Sequence, residues 1–442
     1  MSLIAYSQVI SSGVDWIGNI PAYWIMTKVK RVCKFTTGWT PPTGNASAYE
    51  GENLWANISD LGERVVYETS KRISDQAIKE AGIALSPAGS LLFSFKLSIG
   101  QVSIAGEDMY TNEAIATFRR SQDLSIGYAF YAFPLFLIQN ASENIYGAKL
   151  LNQERIKNGI LALPPIGEQV AIAAFLDRET GKIDALIAEQ EKLLTLLAEK
   201  RQATISHVVT RGLNPNAPMR DSGVAWLGNI PENWKMVRLK DCGCEIVDCK
   251  NRTPELCADG EYFVVRTSCV KDGKFDPEPG YFTDKANFIE WTVKGLPRKG
   301  DVLFTREAPT GEACLAPTGL DFCLGQRMMY IRPPENKLAS EFLLYSIYGG
   351  LARERIREKS KGSTVGHLRV GEVGELPLLL PPLSEQLSLV KFLSEEIEKL
   401  DALSTASEHA ISMLNERRSA LIAAAVTGKI DVRNAVAEEL AA

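Results

Sequence analysis

The sequence predicts an α+β protein made by tandem duplication, in which two mixed α/β domains are separated by two long helices packed as an antiparallel coiled coil. Three observations predict this fold. A long helical stretch occurs twice, a tryptophan-containing segment occurs twice upstream of it, and each region between them alternates short β-type runs with turn residues. Period-two and heptad patterns of apolar residues are the sequence signals of strands and of paired helices.

The helical stretch starts in both copies after Leu-Pro-Pro. The copies cover residues 168–210 and 385–427, and both contain Glu-Gln, Phe-Leu, Asp-Ala-Leu and Val-Thr at the same separations. Alternating steps of four and three place Leu186, Leu193 and Leu403 on a mostly apolar seam that is typical of coiled coils. A single globular domain cannot bury so long a rod, so we expect the two stripes to cover each other. Two unrelated surface helices are the alternative.

The tryptophan-containing segment is Ser-Gly-Val-x-Trp-Ile/Leu-Gly-Asn-Ile-Pro-x-x-Trp. It spans residues 12–24 and 222–234. We expect it to be an extended strap that its tryptophans fasten to a domain by burying aromatic area. Stacking of these tryptophans on a ligand is the alternative.

Each globular region has β-type runs bounded by Gly, Pro, Asn and Ser, followed by a helical pattern. The predicted strands are 54–58, 90–95, 101–105 and 114–118 in the first region and 263–266, 301–305, 312–315 and 328–331 in the second. The predicted helices are 126–145 and 341–358. The loops differ strongly between the two regions, which suggests that the domains bind different things.

These patterns give five segments. We expect domain 1 with its strap at 1–165, helix 1 at 166–210, domain 2 with its strap at 211–382, helix 2 at 383–430 and a C-terminal tail at 431–442. A Pro/Asn-rich linker at 213–218 marks the boundary after helix 1.

Composition is that of an ordinary globular protein of 442 residues, 45% hydrophobic and 23% charged. The net charge of −5 comes from the helical stretches and tail, because the two globular regions are nearly neutral. The eight cysteines contain no Cys-x-x-Cys pair, so reduced thiols are expected, with a zinc site as the alternative. Without a membrane-length apolar run or a signal-peptide pattern, we expect a cytoplasmic protein.

Sequence motifs of catalysis were sought and not found. Thr180-Gly181-Lys182 and Thr427-Gly428-Lys429 lack the remainder of a phosphate-binding loop, and no Asn/Asp-Pro-Pro-Tyr/Phe of amino-methyltransferases occurs. Three scattered histidines do not favour a catalytic triad. We interpret the chain as non-catalytic.

The chain contains, twice in tandem, a strap, a variable domain and a long helix that opens with Leu-Pro-Pro-x-x-Glu-Gln. This order resembles that of the DNA-specificity subunit of Type I restriction-modification systems. The resemblance implies target-recognition domains that each read one half of a bipartite site in double-stranded DNA. It also implies that the helices form a spacer bound by two methyltransferase subunits, through which restriction/translocase subunits join. S-adenosylmethionine, ATP and Mg would then belong to the partners, with no cofactor in this chain and no membrane. A coiled-coil protein-binding scaffold without DNA sequence readout is the competing interpretation.

The resemblance also suggests DNA-contacting residues in matching loops of the two domains. Arg and Lys can read guanine, Asn can read adenine, and hydroxyl groups can contact bases or phosphates. The candidates are Trp39, Thr40, Asn57, Ser59, Lys96, Lys149 and Asn152 in domain 1, and Lys250, Asn251, Arg252, Thr253, Arg266, Thr267, Arg306, Ser363, Thr364 and His367 in domain 2. We expect no metal ligands or catalytic residues.

Overall fold

The computed structural model describes residues 5–42, 44–143, 149–360 and 367–433. The chain divides into two compact units. Unit 1 is Met1–Gln190 with Ala410–Ala442, and unit 2 is Glu191–His409. Each unit therefore combines one globular domain with the start of one long helix and the end of the other.

The elements of the first half follow in chain order. The strands are β1 (Val9–Ser11), β2 (Asn19–Pro21), β3 (Ile25–Lys28), β4 (Phe35–Thr37), β5 (Asn53–Ala56), β6 (Val65–Val66), β7 (Lys71–Ile73), β8 (Leu91–Ser94), β9 (Val102–Ala105), β10 (Tyr110–Thr111), β11 (Ile115–Phe118), β12 (Ser142–Glu143), β13 (Lys149–Leu150) and β14 (Ile160–Leu163). The helices are α1 (Val29–Val32), α2 (Asp75–Ala81), α3 (Ile126–Gln139), α4 (Gln153–Lys157) and the 46-residue α5 (Ile166–Arg211).

The second half repeats this plan. Its strands are β15 (Met219–Asp221), β16 (Asn229–Pro231), β17 (Lys235–Arg238), β18 (Glu245–Asp248), β19 (Tyr262–Val265), β20 (Val270–Lys271), β21 (Lys274–Phe275), β22 (Tyr281–Thr283), β23 (Val302–Thr305), β24 (Ala313–Leu315), β25 (Phe322–Leu324), β26 (Met328–Arg332) and β27 (Pro377–Leu380). Its helices are α6 (Leu239–Cys242), α7 (Lys285–Thr292), α8 (Ser340–Tyr348), α9 (Gly350–Ser360), α10 (Val370–Gly374) and the 44-residue α11 (Leu383–Val426).

The main sheet of unit 1 has the order β4-β11-β8-β9-β6 and is buried on both faces. Successive residues of a strand point to opposite faces. In β8, Leu91 and Phe93 enter the core formed with α3, whereas Leu92 enters a second core with Ala56 and Met109. This two-sided burial explains why β8 and β11 carry apolar residues on both faces. Unit 2 has the corresponding sheet β18-β26-β23-β24.

The predicted strands all occur, with bounds that differ by one or two residues. The predicted helix 341–358 is instead broken into α8 and α9 at Gly349. A Cβ on Gly349 would come within 3.0 Å of the side chains of Ile205 and Val209. The chain therefore changes direction where it lies directly against α5. The helix predicted at 126–145 ends at Gln139, before the short hairpin β12–β13.

The long helices run antiparallel, as the segments within each unit show. In unit 1, Asp184 of α5 pairs with Arg418 of α11 at 2.9 Å, while Leu176 shares a core with Val426. In unit 2, Arg201 lies 3.8 Å from Asp401. Asp401 and Arg201 are the repeat counterparts of Asp184 and Arg418, so the same ion pair occurs once in each unit.

Alternate positions of the predicted seam lie one residue away from the buried stripe in the middle of both helices, whereas the positions between them, such as Ile183 and Leu400, are buried as predicted. Leu186, Leu193 and Leu403 are exposed, while Ile187 and Leu194 are more buried. The phase changes at Thr180, which is buried in place of Glu179, as Ile397 is in place of Glu396. An α-helix has 3.6 residues per turn, so a strict heptad drifts around it unless the helix supercoils.

One tryptophan of each strap is buried in its domain as expected, and the other is exposed. Trp24 and Trp234 are buried, whereas Trp16 and Trp226 are exposed. Immediately after each strap, β3 pairs antiparallel with β14 and β17 with β27, so the strap is joined to the strand that precedes the long helix.

The Glu of each Glu-Gln pair anchors the strap. Glu168 accepts hydrogen bonds from Tyr6 Oη at 2.6 Å and Tyr23 Oη at 3.1 Å, and burial together with this carboxylate raises the pKa of Tyr6. Glu385 accepts from Trp234 Nε1 at 3.0 Å and Asn233 Nδ2 at 3.3 Å. Each unit thus has a glutamate acceptor at the equivalent position, while the donor residues differ.

The neighbouring Gln is fully buried and bonds only main-chain groups. Gln169 accepts from Ser125 N and donates to the carbonyls of Asp123 and Pro164, at 2.8, 2.8 and 3.0 Å. Gln386 makes the same three bonds with Ala339 N and the carbonyls of Lys337 and Pro381, at 2.9, 2.8 and 2.9 Å. Ser125 and Ala339 are the N-cap residues of α3 and α8, so each amide joins the long helix to its domain.

Gln169→Leu tests this connection. The substitution leaves a part-buried N–H and two carbonyls, that of Pro164 in a buried bond, without their partner, and a fully buried group left unpaired costs about 1–3 kcal/mol. We expect the unfolding free energy of unit 1 to fall by about 3 kcal/mol, measured by urea denaturation, with faster hydrogen exchange at the start of α3. The exposed Gln122→Leu is the matched control. Equal denaturation midpoints for both variants would contradict the role of this amide.

Candidate nucleic-acid interface

One edge of the unit 1 sheet gathers the predicted residues of domain 1. Strand β4 ends where β11 begins and where β8 ends, so the loops that follow β4 and β8 and precede β11 meet there. Trp39 N donates to Thr111 O at 2.9 Å, and Thr40 Oγ1 donates to Glu113. We call this edge, with its three loops, reading edge 1.

Asn57 reaches the same edge from the neighbouring sheet. Asn112 N donates to Ala56 O at 2.9 Å, which places Asn57 beside the loop before β11. Asn57 Oδ1 accepts from Ser59 N at 2.7 Å and Ser59 Oγ at 2.6 Å, and its Nδ2 donates to Ser70 Oγ. Asn57 and Ser59 thus shape the turn, and reading a base would require these side-chain bonds to be exchanged.

The predicted loop 149–152 also ends near reading edge 1. Gln153 Nε2 donates to Thr37 Oγ1 at 3.1 Å. Asn152 caps α4 by accepting from Arg155 N at 2.9 Å, and Lys149 is exposed on β13. Lys96 is exposed on the turn between β8 and β9, and the described residues place no carboxylate within ion-pair distance of it.

Unit 2 forms the corresponding reading edge 2 from the loops after β18 and β23 and before β26. Lys250 and Arg252 both pair with Glu290, and both lie over the ring of Trp291, at 5.1 and 5.0 Å from its centroid. Hydrogen bonds from Lys250 and then Arg252 hold the pKa of Glu290 below its usual value. Asn251 and Thr253 are exposed beside them, and Asn251 O accepts from Gln326 Nε2.

Arg306 does not occupy the place of Lys96. Gly100 N donates to Ser94 O and Gly311 N donates to Thr305 O, each at 2.9 Å, so the turns after β8 and β23 are closed alike. Counting from these bonds, Arg306 corresponds to the buried Phe95, and Glu307 corresponds to Lys96.

Arg306 is accordingly only 9% exposed. Its Nε lies 3.2 Å from Asp248 Oδ1, a Coulombic contact, because neither atom has a hydrogen-bond partner among the described residues. In this position Arg306 is part of the buried interior of reading edge 2. Its contact with DNA remains a prediction.

The remaining candidates of domain 2 lie around this turn or outside the described residues. Glu307 pairs with Arg327 Nε at 3.2 Å and with His367 Nδ1. Arg266 is exposed after β19 and donates to Pro279 O, and Thr267 is partly exposed. Ser363 and Thr364 lie outside the described residues.

Four side chains at these edges were not among the candidates predicted from the sequence. Glu113, Gln326 and Arg327 precede β11 and β26, and Leu97 forms the tip of the turn after β8. The available signal was positional, since these residues flank the same strands whose other ends supplied the candidates. Their residue types alone did not distinguish them.

The described residues show no group of three or more His, Cys, Asp or Glu side chains that could hold a metal ion. All eight cysteines are free thiols, and burial raises the pKa of Cys33, Cys244, Cys314 and Cys323 to about 12. None of the helices in the described part of the chain combines the length and hydropathy needed to cross a membrane.

Comparison with known proteins places these features in a family. The family model of the Type I restriction modification DNA specificity domain matches residues 21–195 and again 231–412. The Type I restriction enzyme MjaVIII specificity subunit of Methanocaldococcus jannaschii is 21% identical over 429 residues, which cover 94% of this chain and 95% of that protein. The EcoBI specificity subunit of Escherichia coli is 22% identical over 318 residues, which cover 69% of this chain and 65% of that subunit.

Solved structures show the same fold. A chain solved for the complex assembly and conformational transition of the type I R-M system has a TM-score of 0.71 at 19% identity, covering 93% of this chain and 99% of that one. The HsdS subunit from Thermoanaerobacter tengcongensis has a TM-score of 0.50 at 18% identity, covering 93% and 98%.

A double-mutant cycle tests the place of Arg306. Arg306→Met leaves the half-buried carboxylate of Asp248 without its partner, so we expect the unfolding free energy to fall by about 2 kcal/mol. Adding Asp248→Leu converts the pair to apolar residues and should recover most of that loss. Urea denaturation of the four variants gives the coupling energy. Simple additivity would show that the ion pair does not hold this edge together.

Proposed function

This chain belongs to the Type I restriction-modification DNA specificity family, and from that premise we propose that it reads a bipartite, asymmetric DNA site, with one domain per half-site. We propose further that it scaffolds two methyltransferase subunits and, through them, restriction subunits. Methylation with S-adenosylmethionine, and ATP- and Mg-dependent chemistry, then belong to those partners, and the complex works in the cytoplasm on double-stranded DNA.

The single observation that best supports DNA reading is the pair of reading edges. The same three loop positions converge in both units, and they carry different side chains. Reading edge 1 presents Trp39, Thr40 and Lys96, whereas reading edge 2 presents cations that internal carboxylates neutralise. Base edges in the major groove are distinguished by patterns of donors and acceptors. Two different sets of side chains on the same arrangement of loops favour recognition of two different half-sites.

We propose five segments. A recognition domain at 1–165 and another at 211–382 carry the edges, while 166–210 and 383–430 form the spacer helices and 431–442 the tail. Val432 is fully buried and Arg433 lies over the rings of Tyr6 and Tyr23, so the first tail residues pack against the strap of unit 1.

The spacer helices also carry a repeated pattern of exposed apolar side chains. Val170 and Leu387 are each 55% exposed, Leu186 and Leu403 each 53%, and Leu196 and Met413 are 52% and 57%. The members of each pair are repeat counterparts, six exposed side chains in all. Exposed apolar patches mark interaction sites. Recurrence at equivalent positions favours a partner that binds twice, as two methyltransferase subunits would.

DNA reading is tested on the chain assembled with its methyltransferase subunits. We expect selection from random duplexes to enrich a two-part motif, and Lys96→Ala to weaken affinity for DNA carrying it. Loss of one phosphate contact reduces the slope of log affinity against log salt by about 0.9. The exposed spacer residue Lys192→Ala is the control. Absence of any enriched motif would favour the scaffold without DNA sequence readout.

Partner binding is tested by adding a charge to the repeated apolar positions. Leu186→Asp or Leu403→Asp should each leave one methyltransferase subunit bound, and the double variant none, because a carboxylate resists burial in an apolar interface. Mass photometry of the reconstituted complexes gives the stoichiometry. Ala185→Asp and Ala402→Asp add the same charge at neighbouring exposed positions. Two bound subunits in the double leucine variant would exclude these leucines from the interface.

A further inference from the structure

The turn between β8 and β9 carries an apolar side chain at its tip. Leu97 is 90% exposed, and its φ is 57°, in the left-handed region. A non-glycine residue pays a steric cost in that conformation, since Cβ approaches the following carbonyl oxygen. Leu97 therefore combines an unfavourable backbone conformation with an apolar surface in water.

The corresponding turns of both units have a residue in the left-handed conformation at this position. Ala308 occupies the same position in the turn after β23, and its φ is 45°. The two turns are closed by the same main-chain bonds, Gly100 N to Ser94 O and Gly311 N to Thr305 O. The positive φ and the closing bond are thus common to both turns, although the Ala308–Pro309 peptide is cis, and the side chain changes from leucine to alanine. Glycine would satisfy the backbone in either place, so the leucine has no role in forming the turn.

The turn holds Leu97 in a fixed position. Ile99 N donates to Leu97 O at 2.8 Å, and Ser94 Oγ donates to Lys96 O at 3.1 Å. Beneath the tip, Phe95 is buried in the main core. A side chain on such a support can insert into a partner at little further cost in backbone entropy.

The surroundings identify the partner. Leu97 lies on reading edge 1 with Trp39, Thr40 and Asn57, and Lys96 next to it is exposed and cationic. A protein interface of useful size would bury several apolar side chains. Here one apolar side chain stands among polar groups. Proteins that unstack DNA use this combination, with an apolar wedge between base pairs and cations on the adjoining phosphates.

We propose that Leu97 is a wedge that inserts between stacked base pairs of the half-site read by unit 1, with Lys96 on the neighbouring phosphate. The inference rests on the proposed DNA-reading function. Its consequence is an asymmetric deformation, because Ala308 is too short to enter the stack at the other half-site. Unstacking near a target base also lowers the cost of extruding that base for chemistry.

The experiment uses the chain assembled with its methyltransferase subunits, its selected DNA motif and the variants Leu97→Gly and Leu97→Ala. 2-Aminopurine is placed in turn at each purine of each half-site, omitting the methylated adenine. With the unsubstituted chain, fluorescence should rise at one step of one half-site, and with either variant that rise should disappear. Leu97→Gly should also weaken binding about tenfold, equivalent to about 1.4 kcal/mol.

Thermal stability separates this loss from misfolding. Leu97→Gly relieves the left-handed strain, so the melting temperature should stay level or rise while DNA binding falls. Asp272→Gly relieves left-handed strain of the same kind in the β20–β21 hairpin, outside both reading edges, and should leave fluorescence and affinity unchanged. Equal fluorescence and affinity for Leu97→Gly and the unsubstituted chain would overturn the wedge. Failure of the unsubstituted complex to select any motif would instead overturn the proposed function.

Discussion

The buried amides of Gln169 and Gln386 are the interaction on which the rest of each unit depends. Each side chain bonds one N–H and two carbonyls at the junction of strand, domain helix and long helix. Buried polar groups left unpaired are costly, so the junction has one arrangement of lowest energy. The adjacent glutamates then hold the straps by accepting hydrogen bonds from them, and the donor residues differ between the two units. Two consecutive residues thus fix three elements at once.

The two reading edges are built from corresponding loops but differ in charge. At reading edge 2, Glu290 and Glu307 pair with Lys250, Arg252 and Arg327, so under the proposed function a DNA phosphate would have to compete with a carboxylate for these cations. Such competition limits sequence-independent attraction, which depends on unpaired cations. Reading edge 1 reaches a similar result with few cations. Both arrangements agree with globular regions of nearly zero net charge.

The duplication and eight of the strands, among them the central strands of both main sheets, could be predicted from the sequence, because landmarks such as Glu168/Glu385 repeat without a gap. Errors arose where backbone geometry overrides residue type. Arg306 resembles Lys96 in charge, yet the bonds that close the turns align it with Phe95, so it is buried. Leu186 fits a heptad, yet the helix period places Ile187 inward. The contacting residues of the edges depend on loop conformation, which a single sequence does not encode in a readable pattern.

The chemistry of the junction has an evolutionary consequence. Because Gln169 and Gln386 bond only to main-chain atoms, they recognise the path of the domain backbone and are indifferent to its side chains. Any sequence that reproduces that path can be accepted in either place. Recombination within the straps and long helices could therefore exchange whole domains between related genes, and a new target would arise in one step without redesign of the frame.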